Sequence, residues 1–295
     1  MTYEFGKLGN ENRKFLSTIY KPALTEVFMK IRSMSPSVLP LKYDMRNIFG
    51  NVEIYNQGSL GSCTANAIAY AYKIMSLIRF RKAISICRLF VYYNERVIIG
   101  KVFEDSGAFI KDGFISMQTQ GACLEKFWPY IEQRFTVMPS LMCYNEARLH
   151  RTRGYNAQLD PRDMVNAIKQ CLVLNLPVVI GVMVYESFVS DLVARTGFIP
   201  VPNVQSERFV GGHALATLGF DDDKQHFIVI NSWSEVWGDR GMCYIPYQFI
   251  ANNDLYNDCH AFLDVELKLL VDDETSPEEI FDCLSPKNMR NCELI

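Results

Sequence analysis

The stretch Gln57-Gly58-Ser59-Leu60-Gly61-Ser62-Cys63-Thr64-Ala65-Asn66-Ala67 constrains this chain more than any other part of it. Turn-forming residues give way at Cys63 to helical spacing, with Ala67, Ile68, Ala71, Met75 and Ile78 recurring at three- and four-residue steps. Cys63 therefore opens a long helix. Unpaired backbone N–H groups and the positive end of the helix dipole favour a thiolate there. Gly58 and Gly61 leave room for a close backbone approach, and Gln57 can return an amide N–H to the same spot, where an oxyanion donor belongs. Taken alone, the stretch reads equally well as a buried helical cysteine after a glycine-rich turn.

A second cluster decides between those readings. Gly211-Gly212-His213-Ala214 is followed by Asn231-Ser232-Trp233-Ser234-Glu235-Val236-Trp237-Gly238. A thiol nucleophile needs a base, and the base needs a partner that fixes its tautomer and orientation. Cys63, His213 and Asn231 supply those three roles in chain order. The set resembles the papain-like (cathepsin-like) cysteine peptidases, in the variant Gly-Ser-Cys-Thr-Ala-Asn-Ala branch of prokaryotes and large DNA viruses. His213 lies 150 residues beyond Cys63, within the separation expected of that family, and Asn231 lies slightly beyond it. Leu60 stands where relatives commonly carry a disulfide cysteine, and Thr64 where they carry a Trp. Neither change touches a catalytic role.

The resemblance implies an α+β fold of two lobes, a helical left lobe and an antiparallel β-sheet or barrel as the right lobe, with the active-site cleft between them. Residues 39–270 would form the peptidase domain, the left lobe spanning about 39–155 and the right lobe about 156–270. The run Leu39-Pro40-Leu41-Lys42-Tyr43-Asp44-Met45-Arg46 resembles a mature N-terminus. Residues 1–38 then become a pro-segment or N-terminal arm, with an apolar helical stripe of Leu24, Val27, Phe28 and Ile31 behind Pro22. The alternatives are a cleft inhibitor removed on activation and a permanently packed arm. Residues 271–295 form an acidic extension with a capping box at Ser276–Glu279.

Between the two clusters, Ser85 is a candidate cap for a second helix through Leu89, Phe90, Tyr93 and Val97. A third helix is expected to run to about Gln120, with Gly121 as its C-cap. Residues 131–160 read as an irregular link with a cationic patch of Arg148, His150, Arg151 and Arg153. Asp160-Pro161 reads as the start of a right-lobe helix, and short strands follow at Val178–Ile180, Phe198–Ile199, His213–Leu218, Phe227–Ile230 and Cys243–Ile245.

Composition excludes several classes. A net charge of −3, without a basic aromatic stripe, gives no indication of nucleic-acid binding. The four histidines are dispersed and the nine cysteines lack Cys-x-x-Cys spacing, so neither a metal nor another cofactor is expected. Met1–Tyr20 is too polar for a signal peptide, and the apolar run Leu172–Val184 is broken by Asn175 and Pro177 and too short for a membrane span. Free thiols in a reducing compartment, cytoplasmic or virion-associated, are the expectation.

The function expected is a cysteine endopeptidase acting on peptide or protein substrates through a thioester acyl-enzyme, and made as a zymogen if residues 1–38 are a removable pro-segment. Cys63, His213, Asn231 and Gln57 are the catalytic set. Gly61, Ser62, Gly107 and Gly212 would border the substrate, and Trp237 reads as lobe packing that also borders the leaving-group side. The alternatives are an exopeptidase of the same fold and a non-catalytic peptide-binding module.

Overall fold

The computed structural model describes residues 13–15, 39–50, 52–153, 163–262, 264, 265 and 270–272. The chain divides into two compact units, Met1–Tyr20 with Leu267–Ile295, and Lys21–Glu266. In the first unit the described elements are Arg13–Phe15 and Leu270–Asp272, which pair antiparallel. The expected arm helix around Leu24–Ile31, the Asp160-Pro161 helix start and the Ser276–Glu279 capping box lie outside the described residues.

Everything that follows concerns the second unit. Its central element is helix α1 (Cys63–Phe80), which ends where Arg81 takes a left-handed conformation and its N–H returns to the Leu77 carbonyl at 3.0 Å. The apolar spacing predicts one buried face. Instead every residue from Thr64 to Ser76 is buried. Alanines at 65, 67, 69 and 71 keep the surface of α1 thin, so neighbours approach from several sides.

Helix α2 (Arg88–Ile98) and helix α3 (Ile110–Thr119) pack against α1. Cys87, rather than the expected Ser85, caps α2, its sulfur accepting the Phe90 N–H at 3.1 Å. The Ser85 carbonyl instead accepts the Glu125 N–H at 2.8 Å, beside an antiparallel bridge between Ile86 and Leu124. The link after α3 is not wholly irregular: Ser140 caps a short helix, α4 (Leu141–Ala147), with its hydroxyl. His150 is no part of a solvated cationic patch. It is buried, with Nε2 2.8 Å from Glu146 Oε1.

The right lobe holds helix α5 (Met164–Val173), capped by Asp163, and an antiparallel sheet. Its strands are β1 (Lys42–Asp44), β2 (Val178–Tyr185), β3 (Phe209–Asp221), β4 (His226–Ile230), β5 (Met242–Pro246) and β6 (Tyr256–Ala261). The order across the sheet is β5-β4-β3-β2-β6, with β1 added to the far end of β3. β1 comes from the opening residues of the stretch assigned to the left lobe, so the chain begins its described fold in the opposite lobe. Four of the expected strands coincide with β2 to β5. Phe198–Ile199 forms only a parallel bridge from Phe198 to Tyr244, and β6 was not expected. No helix among the described residues is long and apolar enough to cross a membrane.

Candidate active site

A cleft of about 830 Å³ opens where the start of α1, the loop before α3 and strands β2 and β3 converge. Gln57, Gly61, Cys63, Gly107, Gly212, His213 and Trp233 line it. All of these except Trp233 are candidate catalytic or substrate-bordering residues from the sequence, so six of those candidates share one cavity.

His213 stands on β3, and Asn231 directly follows β4. His213 Nε2 lies 2.8 Å from Asn231 Oδ1, with both residues buried. Asn231 Oδ1 also accepts the Ser232 N–H at 2.8 Å, which fixes the oxygen end of the amide. Nε2 must therefore carry the proton it donates, and Nδ1 keeps its lone pair. Trp233 stacks on the imidazole at 4.5 Å between ring centroids and covers this hydrogen bond. A hydrogen bond kept from water is stronger.

Cys63 is the first residue of α1 and part-buried. Burial pushes its thiol up to about 11, against the pull of the Ala214, Thr64 and Cys63 backbone N–H groups. The same effect lowers His213 to about 4, opposed by its bond to Asn231. The helix end alone predicts a thiolate, but desolvation outweighs it. Burial thus disfavours each charged form taken alone. Ala214, the residue after His213 on β3, lines the same cleft as Cys63.

The Gln57 amide is fixed at both ends. Its Nε2 donates to the Leu60 carbonyl at 2.8 Å and its Oε1 accepts from Ser232 Oγ at 2.7 Å. One Nε2 hydrogen remains free of that bond. The Gln57 carbonyl accepts from Tyr130 Oη at 2.8 Å, and Tyr130 Oη in turn lies 2.6 Å from Ser62 Oγ. Ser62 is fully buried, so its side chain serves this network rather than the cleft surface. Trp237 does not line the cleft; it packs against Phe188 and edge-on against Trp233. Gly61 and Gly107 face each other across the cleft rim: a Cβ on Gly61 would meet the Gly107 nitrogen at 3.3 Å. Gly212 has open space where a side chain would project. Ser232 and Tyr130, which hold Gln57, were not singled out as functional, because no local pattern marks hydrogen bonds that span 175 and 73 positions. Among the described residues there is no group of His, Cys, Asp and Glu side chains arranged to hold a metal ion.

A helix-borne cysteine facing a strand-borne histidine across a cleft defines the class as a two-lobed thiol hydrolase. The model of the papain family cysteine proteases matches residues 39–261, and the chain belongs to that family. It is a cysteine peptidase, a hydrolase. It is 35% identical over 258 residues to the peptidase C1-like protein L477 of Acanthamoeba polyphaga mimivirus, covering 84% of this chain and 82% of that one. Among solved structures it resembles xylellain, a cysteine protease from Xylella fastidiosa, at 32% identity and a TM-score of 0.70, covering 88% of this chain and all of that one. The ragweed pollen allergen Amb a 11, a cysteine protease solved in its proform, shares the fold at 16% identity and a TM-score of 0.56, covering 79% of this chain and 67% of that one.

Proposed function

We propose that this cysteine peptidase cuts within peptide chains through Cys63, His213 and Asn231, with Gln57 holding the oxyanion. The observation that carries the reading is the His213–Asn231 hydrogen bond of 2.8 Å, which leaves Nδ1 as the base. The Cys63 sulfur attacks the peptide carbonyl while its proton passes to His213 Nδ1. Thiolate and imidazolium thus form together, and their mutual attraction offsets the burial that disfavours each alone. The free Nε2 hydrogen of Gln57 and the Cys63 backbone N–H receive the developing oxyanion. His213 returns the proton to the leaving amine, giving a thioester. Water then attacks that thioester, giving its proton to His213, and the acid product leaves as the thiol re-forms.

Substrate backbone would run along Gly61, Gly107 and Gly212, whose lack of side chains keeps the walls low. Trp237 would act only through Trp233. Residues 1–38 are proposed as a segment that covers the cleft before activation; the proform of the Amb a 11 protease supports that reading by fold alone. An internally quenched peptide blocked at both ends tests the endopeptidase reading. The expected result is cleavage, abolished by iodoacetamide. Cleavage only after the N-terminal block is removed would assign an exopeptidase instead.

A further inference from the structure

One buried carboxyl group beside the nucleophile has no part in the chemistry above. Glu95, on α2, is fully buried. Its Oε2 accepts the Thr64 hydroxyl at 2.8 Å, and Thr64 directly follows Cys63 on α1. Its Oε1 has no hydrogen-bond partner among the described residues. That oxygen fills the space a side chain at position 113 would take, since a Cβ on Gly113 of α3 would stand 2.3 Å from it. Three helices thus close on one carboxyl group.

The cation next to it in the chain is turned elsewhere. The Arg96 guanidinium donates to the carbonyls of Tyr92, Val102 and Glu104 at 3.2, 2.8 and 3.0 Å, and to that of Phe135. A carboxylate sealed from water without a hydrogen-bonded cation loses its hydration uncompensated, so it takes up a proton. Burial pushes the Glu95 carboxyl up to about 8; Thr64 and Arg96 oppose the shift, and Asp112 on α3 adds to it. Below that pH the group is a neutral acid. Above it, a negative charge appears against the residue that follows Cys63. Burial raises the Cys63 thiol most, and the Glu95 charge adds to it.

We propose that Glu95 is a positioning residue that acts on Cys63 through Thr64. As a neutral acid it ties the first turn of α1 to α2, so the Cys63 sulfur and backbone N–H keep their places. As a carboxylate it opposes the thiolate and keeps Cys63 protonated to higher pH. The proposal rests on the reading of Cys63 as the nucleophile and deepens it by naming a group that sets its reactivity.

The test is the rate of Cys63 alkylation by iodoacetamide on either side of about pH 8 in wild type and Glu95→Gln, with the adduct located by mass spectrometry. In wild type the rise of rate with pH is expected to slacken above that value. In Glu95→Gln the rise continues and ends severalfold higher, because no carboxylate forms to oppose the thiolate. Each protein is compared with itself across pH, so the number of folded sites cancels. Thr64→Val removes the hydroxyl that favours the carboxylate, so the break moves to higher pH, and kcat falls severalfold with little change in KM as the nucleophile loses its placement. Should Glu95→Gln fail to fold, NMR of wild-type protein with isotope-labelled glutamate side chains is expected to show one carboxyl group titrating near pH 8. Coincident alkylation profiles, or glutamates that all titrate in the ordinary carboxylate range, overturn the proposal. Alkylation needs no turnover. A break without peptide cleavage therefore keeps the role of Glu95 and rejects the peptidase mechanism, whereas cleavage without a break does the reverse.

Discussion

Gln57 sits eight per cent exposed, with its amide gripped by Leu60 and Ser232 and its carbonyl held by Tyr130. In the proposed role, such a donor would lose little freedom as an oxyanion forms beside it. Gln57→Ala is expected to lower kcat by about 10²–10³ with little change in thiol alkylation, the loss typical of one oxyanion donor. A rise in KM with kcat unchanged would assign it to substrate binding instead. In the proposed mechanism the Cys63–His213 pair has one proton to share when active. A second proton inactivates it as pH falls through the imidazole value near 4, and losing the last one inactivates it toward the thiol value near 11. The activity profile is therefore expected to be broad. Asn231 favours the charged imidazole by accepting from it, so Asn231→Ala moves the acid limb of kcat/KM to lower pH and costs about 10² in kcat. An acid limb moving upward contradicts the assignment. Cys63, His213, Asn231 and Gln57 were legible because each stands in a short motif. The groups that hold them, Ser232 to Gln57 across 175 positions and Tyr130 to Ser62 across 68, left no local trace.

Helix α1 was legible at its start, where the motif ends, and less so in its surroundings. A stripe of apolar positions predicts one neighbour, whereas the alanine run lets α2, α3 and β3 all approach. The same crowding explains Gly113 inside α3. A Cβ there would stand 2.2 Å from Ile68 Cδ1 and 2.3 Å from Oε1 of the fully buried Glu95, whose other oxygen takes the Thr64 hydroxyl at 2.8 Å. Gly113→Ala raises helix propensity, yet overpacking wins, and a loss of about 1–3 kcal/mol in denaturant unfolding is expected. A gain in stability would mean that α1 and α3 are less tightly packed than described. Ser85 looked like a helix cap because its chemistry suits one, but the chain needs its backbone for the bridge to Leu124, and Cys87 caps α2 instead. Strand β6 was missed for a related reason. Its sequence, Tyr-Asn-Asp-Cys-His-Ala, lacks the apolar alternation of a half-buried strand, and its place is set by pairing with β2.

The two-lobed organisation followed from the family resemblance, and the region 39–261 folds as that resemblance implies. What the sequence did not reveal is how the ends are used. Lys42–Asp44 crosses to complete the right-lobe sheet, and Asp264–Val265 pairs with Thr152–Arg153. Such pairings join residues far apart in the chain, where register depends on tertiary contacts rather than on local pattern. The cleft arises between these interleaved lobes, and the account stands or falls on which atom attacks there. Rapid acid quenching of the protein with a peptide ester, followed by mass spectrometry of its fragments, is the most direct measurement. An acyl group is expected on the fragment containing Cys63, with both adduct and turnover lost in Cys63→Ala. An adduct on another residue, or turnover persisting in Cys63→Ala, would contradict it.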